Sequence, residues 1–178
     1  MTKCAVLTAT LVIAISGPAW AGVYVGLGVG MKPVVNDAMA DVAAPSGRSL
    51  RGLLGLRLAN LAVEGGVNRF GVATADGGDQ QVYQASAALK LSVPLVSHVE
   101  GFARGGVERT WLGMGGDHPD LQGDGFLVGG GLELRVNAVI ASMSVFVDYT
   151  VHHASLDSAL TSVDATSQVL GVGVTVGL

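Results

Sequence analysis

Apolar side chains alternate with small or polar ones along most of the chain, with a period of two residues. Eight segments keep this alternation, at residues 22–30, 48–59, 61–70, 81–93, 97–111, 124–136, 138–151 and 166–178. A period of two is typical of β-strands, because successive side chains of a strand point to opposite faces of the sheet. The 27 glycines and few long helical patterns suit many strands and turns. The pattern therefore predicts an all-β protein.

The connections between these segments alternate in length. They are long at 31–47, 71–80, 112–123 and 152–165, and short at Asn60, around Pro94 and at Asn137. An even number of strands, with short turns at one rim and longer loops at the other, is typical of outer-membrane barrels, whose short turns are periplasmic. The sequence therefore predicts an eight-stranded antiparallel transmembrane β-barrel over residues 22–178.

The two faces of the predicted strands differ in charge. One parity carries the large apolar side chains, and the residues assigned to it are uncharged. The opposite parity carries five basic and five acidic side chains, which are Arg51, Arg57, Glu64, Lys90, Glu100, Arg104, Glu108, Glu133, Arg135 and Asp148. All four glutamates are in this set, whereas eight of the ten aspartates lie in the predicted connections. The apolar face is expected to meet lipid and the charged face to fill the lumen.

Hairpin geometry predicts partners for some of these charges. A symmetric hairpin of the second and third strands would bring Arg57 opposite Glu64. Folding the fourth and fifth strands in the same way would bring Lys90 opposite Glu100, and the next hairpin would bring Glu100 near Arg135. Isolated buried charges are costly, so we expect a network of salt bridges that closes the lumen. The alternative is a small or gated pore.

Aromatic residues favour a membrane barrel over a soluble β-sandwich or lipocalin-like barrel, which would show the same alternation. Four of them have outward parity and lie within about three residues of the long-loop end of their predicted strands, namely Tyr83, Trp111, Phe126 and Tyr149. Amphipathic rings collect at the membrane–water interface. The mean hydropathy of +0.52 is also high for a secreted soluble domain.

The first 21 residues predict a cleaved secretory signal peptide. Lys3 precedes an apolar stretch at 5–15, and Ala19-Trp20-Ala21 forms a small-x-small cleavage site. The apolar stretch is too short to span a bilayer as a helix. Cys4 is the only cysteine and lies in this segment, so the mature domain is expected to contain no disulfide. Export followed by membrane insertion would place the protein in the bacterial outer membrane.

Several segments resemble the OmpA-like outer-membrane β-barrel superfamily. They are residues 22–30, 61–70, 125–135, 147–149 and 170–178. The order of these motifs carries the resemblance, which covers the whole predicted mature chain. It implies assembly by the barrel-assembly machinery and contact with outer-membrane lipid and lipopolysaccharide. Such barrels usually end on an aromatic residue, whereas this chain ends on Leu178.

His153 and Ser155 are the sharpest candidates for catalysis. Their spacing is similar to the dyad of eight-stranded lipid A deacylases, in which a histidine activates a serine hydroxyl for acyl transfer. The acid that the resemblance implies on the final strand is missing, because position 167 is a serine and the nearest acid is Asp164. We therefore predict that the protein is not an enzyme, with lipid A acyl modification as the alternative.

The other polar groups indicate no cofactor. Asp117, His118, Asp120 and Asp124 crowd one long loop, but their spacing fits no calcium loop, so a solvated acidic loop is expected instead of a metal site. A formal net charge of −4 argues against nucleic acid as a partner. The predicted function is that of a non-catalytic integral outer-membrane barrel, structural or surface-presenting, with acidic extracellular loops.

Overall fold

The computed structural model describes residues 21–37, 43–74, 78–112, 121–137, 141–157 and 162–177. Within these residues the strands are β1 (Ala21–Gly30), β2 (Val34–Val35), β3 (Ala43–Pro45), β4 (Ser49–Leu58), β5 (Leu61–Thr74), β6 (Asp79–Val96), β7 (Val99–Leu112), β8 (Leu121–Asn137), β9 (Ser142–Asp157) and β10 (Ser162–Gly177). No helix among the described residues is long and apolar enough to cross a membrane.

Eight of the strands close into an antiparallel barrel. β1 pairs with β4, the strands from β4 to β10 each pair with the next, and β10 pairs back with β1. The short strand β2 pairs with β10, and β3 pairs with β5. The predicted all-β, eight-stranded antiparallel barrel is confirmed.

The strands continue further toward the long-loop rim than the sequence pattern predicts. β5 runs to Thr74, β6 begins at Asp79, β9 runs to Asp157 and β10 begins at Ser162. Three aspartates assigned to connections therefore lie on strands, which are Asp79, Asp157 and Asp164. The predicted ends are wrong because they mark where the outward face stops being apolar, whereas the hydrogen-bonded ladder continues beyond that point.

This change in the polarity of the outward-facing side chains divides the barrel into two regions. We define the lower barrel as residues 21–30, 49–58, 61–68, 83–96, 99–108, 126–137, 142–151 and 169–177. We define the upper barrel as residues 34–35, 43–45, 69–74, 79–82, 109–112, 121–125, 152–157 and 162–168. The described outward side chains of the lower barrel carry no charge, whereas those of the upper barrel include Arg69, Asp79, Arg109, Asp124 and Asp164.

The polarity of the inward-facing side chains changes in the opposite direction, from charged in the lower barrel to apolar in the upper barrel. In the upper barrel an apolar core fills the interior, made of Phe70, Val72, Val82, Leu112, Leu121, Ala154, Leu156 and Ala165, with Val35 packed against it. In the lower barrel the interior holds the charged side chains. The sequence pattern did not predict the apolar core, since six of its eight residues lie in the predicted connections and the other two, Phe70 and Val82, have the parity assigned to the polar lumen.

The hairpin between β6 and β7 turns later than predicted. Pro94 lies within β6, where the ladder shifts register between Pro94 and Val96, and the turn follows at residues 97–98. Lys90 is therefore opposite Arg104, and the predicted Lys90–Glu100 pairing is wrong.

The hairpin between β4 and β5 turns at residues 59–60, where Ala59 adopts a positive φ of 54°. Because this turn is tight, Arg57 is opposite Ala62 and Glu64 is opposite Gly55. The predicted Arg57–Glu64 pairing is wrong for this reason.

Candidate functional site

All ten charged side chains predicted for the lumen face the interior of the lower barrel; nine of them are ion-paired, and the tenth, Glu108, contacts His152. Nearest the short-turn rim, Glu100 accepts hydrogen bonds from two arginines. Its Oε2 lies 2.9 Å from Arg57 Nη2, and its Oε1 lies 2.9 Å from Arg135 Nη1. Arg135 Nη2 lies 3.1 Å from Glu133 Oε1. The predicted proximity of Glu100 and Arg135 agrees with this geometry.

Lys90 links two glutamates at the next level. Its Nζ lies 2.7 Å from Glu133 Oε2 and 3.5 Å from Glu64 Oε1. The hydroxyl of Tyr24 donates to Glu64 Oε1 over 2.5 Å, and that of Ser144 donates to Glu133 Oε1 over 2.5 Å. Each carboxylate of this level is thus both ion-paired and hydrogen-bonded, which is what a buried charge requires.

Asp148 is the acceptor at the centre of the network, and its side chain is fully buried. Its Oδ2 lies 2.7 Å from Arg51 Nη1 and also accepts from Arg104 Nη2. The hydroxyl of Thr150 donates to the same oxygen over 2.9 Å. Arg104 Nη1 lies 3.7 Å from Glu64 Oε2, so it connects this level to the one below.

Glu108 pairs with a residue that the sequence did not place in the lumen. Its Oε2 lies 2.5 Å from His152 Nδ1, and both side chains are buried. His152 is the first residue of the upper barrel on β9, so this pair marks the junction of the two regions. The alternation along β9 gives His152 inward parity, which is the signal in the sequence that identifies it as a lumen residue.

Small residues make room for these groups in the narrow lumen. A Cβ at Gly55 would overlap the ring of Tyr24, and a Cβ at Gly26 would lie 2.7 Å from Thr175 Cγ2. A cavity of about 20 Å³ remains beside Asn68 and His152. This volume holds about one water molecule. The described interior is therefore filled by side chains from the short-turn rim to the apolar core.

The candidate dyad faces outward, and its two members do not contact each other through their functional atoms. His153 Nδ1 lies 3.0 Å from Thr166 Oγ1, and Ser155 Oγ donates to Asp164 Oδ1 over 2.9 Å. The ring of Phe126 lies 5.1 Å from the His153 ring. A histidine activates a serine only when it accepts the hydroxyl proton, and here each side chain bonds to β10 instead.

The four aromatic residues predicted at the interface all face outward and are exposed. Tyr149 lies eight residues before the end of β9 and Phe126 five residues after the start of β8, so their predicted closeness to the strand ends is wrong. The strands are longer than predicted, and all four rings instead lie near the boundary between the lower and upper barrel. Their role at a membrane interface stays a prediction.

Other predicted features fall partly outside the described residues. Asp117, His118 and Asp120 lie outside them, whereas Asp124 lies on β8 and faces outward. No group of three or more His, Cys, Asp or Glu that could hold a metal ion occurs in the part of the chain that is described. Residues 1–20 and Leu178 also lie outside it, so the signal peptide stays a prediction.

A closed ring of eight strands, whose lower part has an apolar outer face and a charged, filled lumen, defines the class of small outer-membrane β-barrels. Solved structures agree with this class. Neisserial surface protein A is 20% identical over 86% of this chain and 95% of that chain, with a TM-score of 0.63. No protein-family model and no curated protein sequence matches the chain.

Two further structures have the same fold. The N-terminal β-barrel domain of OprF from Pseudomonas aeruginosa is 11% identical over 88% of this chain and 99% of that domain, with a TM-score of 0.51. Ail, the attachment invasion locus protein of Yersinia pestis, solved with the heparin analogue sucrose octasulfate, is 15% identical over 87% of this chain and 98% of that chain, also with a TM-score of 0.51. The chain therefore has the fold of the OmpA-like eight-stranded outer-membrane barrels, as its sequence motifs predict.

Proposed function

We propose that the protein is a non-catalytic integral barrel of the bacterial outer membrane, with a structural or surface-presenting role. In this proposal the signal peptide at 1–21 directs export, and the barrel-assembly machinery inserts the domain. The lower barrel contacts outer-membrane lipid, including lipopolysaccharide, and the upper barrel projects from the membrane with polar and acidic groups on its outside. The uncharged outer face of the lower barrel supports this orientation.

The observation that carries the proposal is the closure of the lumen at two levels. Salt bridges centred on Lys90 and Asp148 fill the lower barrel, and the apolar core around Phe70 and Leu156 fills the upper barrel. An ion crossing the protein would have to break the salt bridges of the lower barrel and lose its hydration shell in the apolar core of the upper barrel. Both steps are costly, so the geometry supports a scaffold better than a pore.

Conductance in planar lipid bilayers tests the closed lumen. We expect no stable open channel from the purified protein. Heat-modifiable migration of the same sample on a denaturing gel serves as the control that the barrel is folded. Stable, high-conductance openings from a folded sample would contradict the proposal and favour the alternative of a pore.

Membrane fractionation tests the location. We expect the protein in the outer-membrane fraction after a high-salt wash, with heat-modifiable migration once it is extracted in detergent. Recovery in the soluble periplasm without a shift on the gel would contradict the assignment and indicate a soluble β-barrel.

A further inference from the structure

Two arginines face outward where the lower barrel meets the upper barrel. Arg69 on β5 and Arg109 on β7 occupy the first outward position of the upper barrel on their strands, and both are exposed. Among the described strand residues, no other lysine or arginine faces outward. Both cations lie on the outer wall and take no part in the lumen network.

Neither guanidinium is saturated by the groups around it. Arg69 Nε donates to Gln81 Oε1 over 2.9 Å, and its two terminal amino groups have no partner among the described residues. Arg109 Nη2 donates to Gln122 Oε1 over 3.4 Å, and its Nη1 lies 3.4 Å from Asp124 Oδ1, in a pair whose side chains are 49% and 78% exposed. Exposed pairs of this kind contribute only about 0–1 kcal/mol, so a stronger anion could displace Asp124.

Aromatic rings lie beside both cations and set their depth. Arg69 and Trp111 are the two ladder neighbours of Tyr83, so these three residues form one row across β5, β6 and β7. The guanidinium carbon of Arg69 lies 5.9 Å from the centre of the Tyr83 ring, and that of Arg109 lies 5.9 Å from the Trp111 ring. Since such rings collect at lipid headgroups, the arginines are placed at headgroup level as well.

Below this row the barrel wall has a shallow groove. Ala85 and Ala87 follow Tyr83 on the outward face of β6. Ala85 lies between the larger Val67 on β5 and Arg109 on β7, and Ala87 lies between Gly65 on β5 and Val107 on β7. A chain of methylene groups fits along such a groove. The groove points from the arginines toward the middle of the lower barrel, which is the direction that an acyl chain takes from its headgroup.

We propose that Arg69 and Arg109 bind the phosphate of an outer-leaflet glycolipid, whose acyl chain lies over Ala85 and Ala87. Guanidinium groups bind phosphate through paired, charge-assisted hydrogen bonds, which matches the free terminal amino groups of Arg69. Phosphate on a lipid is preferred to free phosphate because the rings and the groove place the site against the membrane. The inference needs the membrane orientation but not the closed lumen, so a conducting barrel would leave it standing.

Native mass spectrometry of the full, detergent-solubilised protein tests this site, with diphosphoryl lipid A and its dephosphorylated form as probes. We expect the double variant R69Q/R109Q to bind diphosphoryl lipid A about tenfold more weakly than the wild type, because two charge-assisted contacts are lost. K32Q removes one exposed charge away from the aromatic row and is expected to bind within about twofold of the wild type. R69K/R109K keeps the charge but loses the paired geometry, so intermediate binding is expected.

The two lipid forms separate a phosphate site from general lipid adhesion. The wild type is expected to prefer the phosphorylated form, and the double variant to lose that preference. Equal binding of both forms by the wild type, or wild-type binding by folded R69Q/R109Q, would overturn the proposal. Complete competition by millimolar inorganic phosphate would also overturn it, because the site would then bind an anion without the lipid. Heat-modifiable migration confirms that each variant is folded.

Discussion

Strand β9 passes through both regions of the barrel and reverses its polarity between them. In the lower barrel Val147 faces outward and Asp148 inward, whereas in the upper barrel Ser155 faces outward and Leu156 inward. The backbone and the alternation are the same in both places. The difference shows that the apolar parity changes with height in the barrel.

Each region has the polarity that its proposed surroundings require. Beside lipid, an apolar outer face costs nothing, and the interior can hold polar groups provided that they bond to one another. Beside water, the hydrophobic effect favours apolar side chains inside, as in any soluble domain. The charged network therefore fills the interior of the lower barrel, and the apolar core fills that of the upper barrel.

The largest expected effect is the loss of the central acceptor in the lower barrel. Asp148→Asn leaves Arg51 and Arg104 buried beside a neutral group, because both bond to the same carboxylate oxygen. Removing one partner of a buried ion pair costs about 3–5 kcal/mol. The free energy of unfolding in lipid vesicles, from a denaturant titration, should fall by about this amount.

Asp79→Asn is the matched control for this variant. Asp79 is exposed on the outward face of the upper barrel, so a change within about 0.5 kcal/mol is expected. Equal effects of the two substitutions would contradict the view that the carboxylate of Asp148 holds the lumen network together.

The second effect concerns the apolar core of the upper barrel. Leu156 is 1% exposed and packs inside this core, so Leu156→Ala should lower the free energy of unfolding by about 2–5 kcal/mol. Leu132 is 48% exposed on the outward face of the lower barrel and leaves no cavity when shortened. Leu132→Ala should cost less than Leu156→Ala in the same denaturant titration. The reverse order would indicate that the upper barrel has no packed core.

Much of the fold could be predicted because the period-two pattern holds along every long strand. The interior position of Asp148 follows from parity alone. The apolar core could not be predicted in the same way, because Phe70 has the parity of the lumen charges and Leu156 lies in a predicted connection. Parity identifies a face, but the medium that the face meets depends on its height in the barrel.

The ion-pair partners of the lumen charges were less predictable than the fact that these side chains face inward. Lys90 bonds to Glu133 on β8, across the lumen, instead of to a residue on the neighbouring strand. Such contacts form only when the barrel closes, and the geometry of a single hairpin does not predict them. The outward arginines do not follow from a pattern of apolar residues that defines the outer face, although Arg69 and Arg109 share its parity.

A third prediction compares two outward positions of the same strand. Val147→Lys places a charge near the middle of the apolar outer face of β9, whereas Ser155→Lys places it on the polar outer face, eight residues further along. A lysine at the bilayer midplane of a barrel costs about 2–4 kcal/mol, and one beyond the membrane costs about 0–1 kcal/mol. The two variants should differ by about 2 kcal/mol in unfolding experiments in vesicles. Equal costs would contradict the proposed position of the membrane.

The smallest effect is expected for Ser155→Ala, which removes an exposed hydrogen bond to Asp164 on the outside of the upper barrel. Water replaces this bond, so the free energy of unfolding should change by less than about 0.5 kcal/mol. The same variant tests the alternative of lipid A acyl modification, for which Ser155 would be the nucleophile. Cells that produce wild type or variant should have the same lipid A acyl composition by mass spectrometry, because His153 bonds to Thr166 and not to this hydroxyl. An acyl chain that is missing with the wild type and restored by Ser155→Ala would show that the two side chains meet during catalysis.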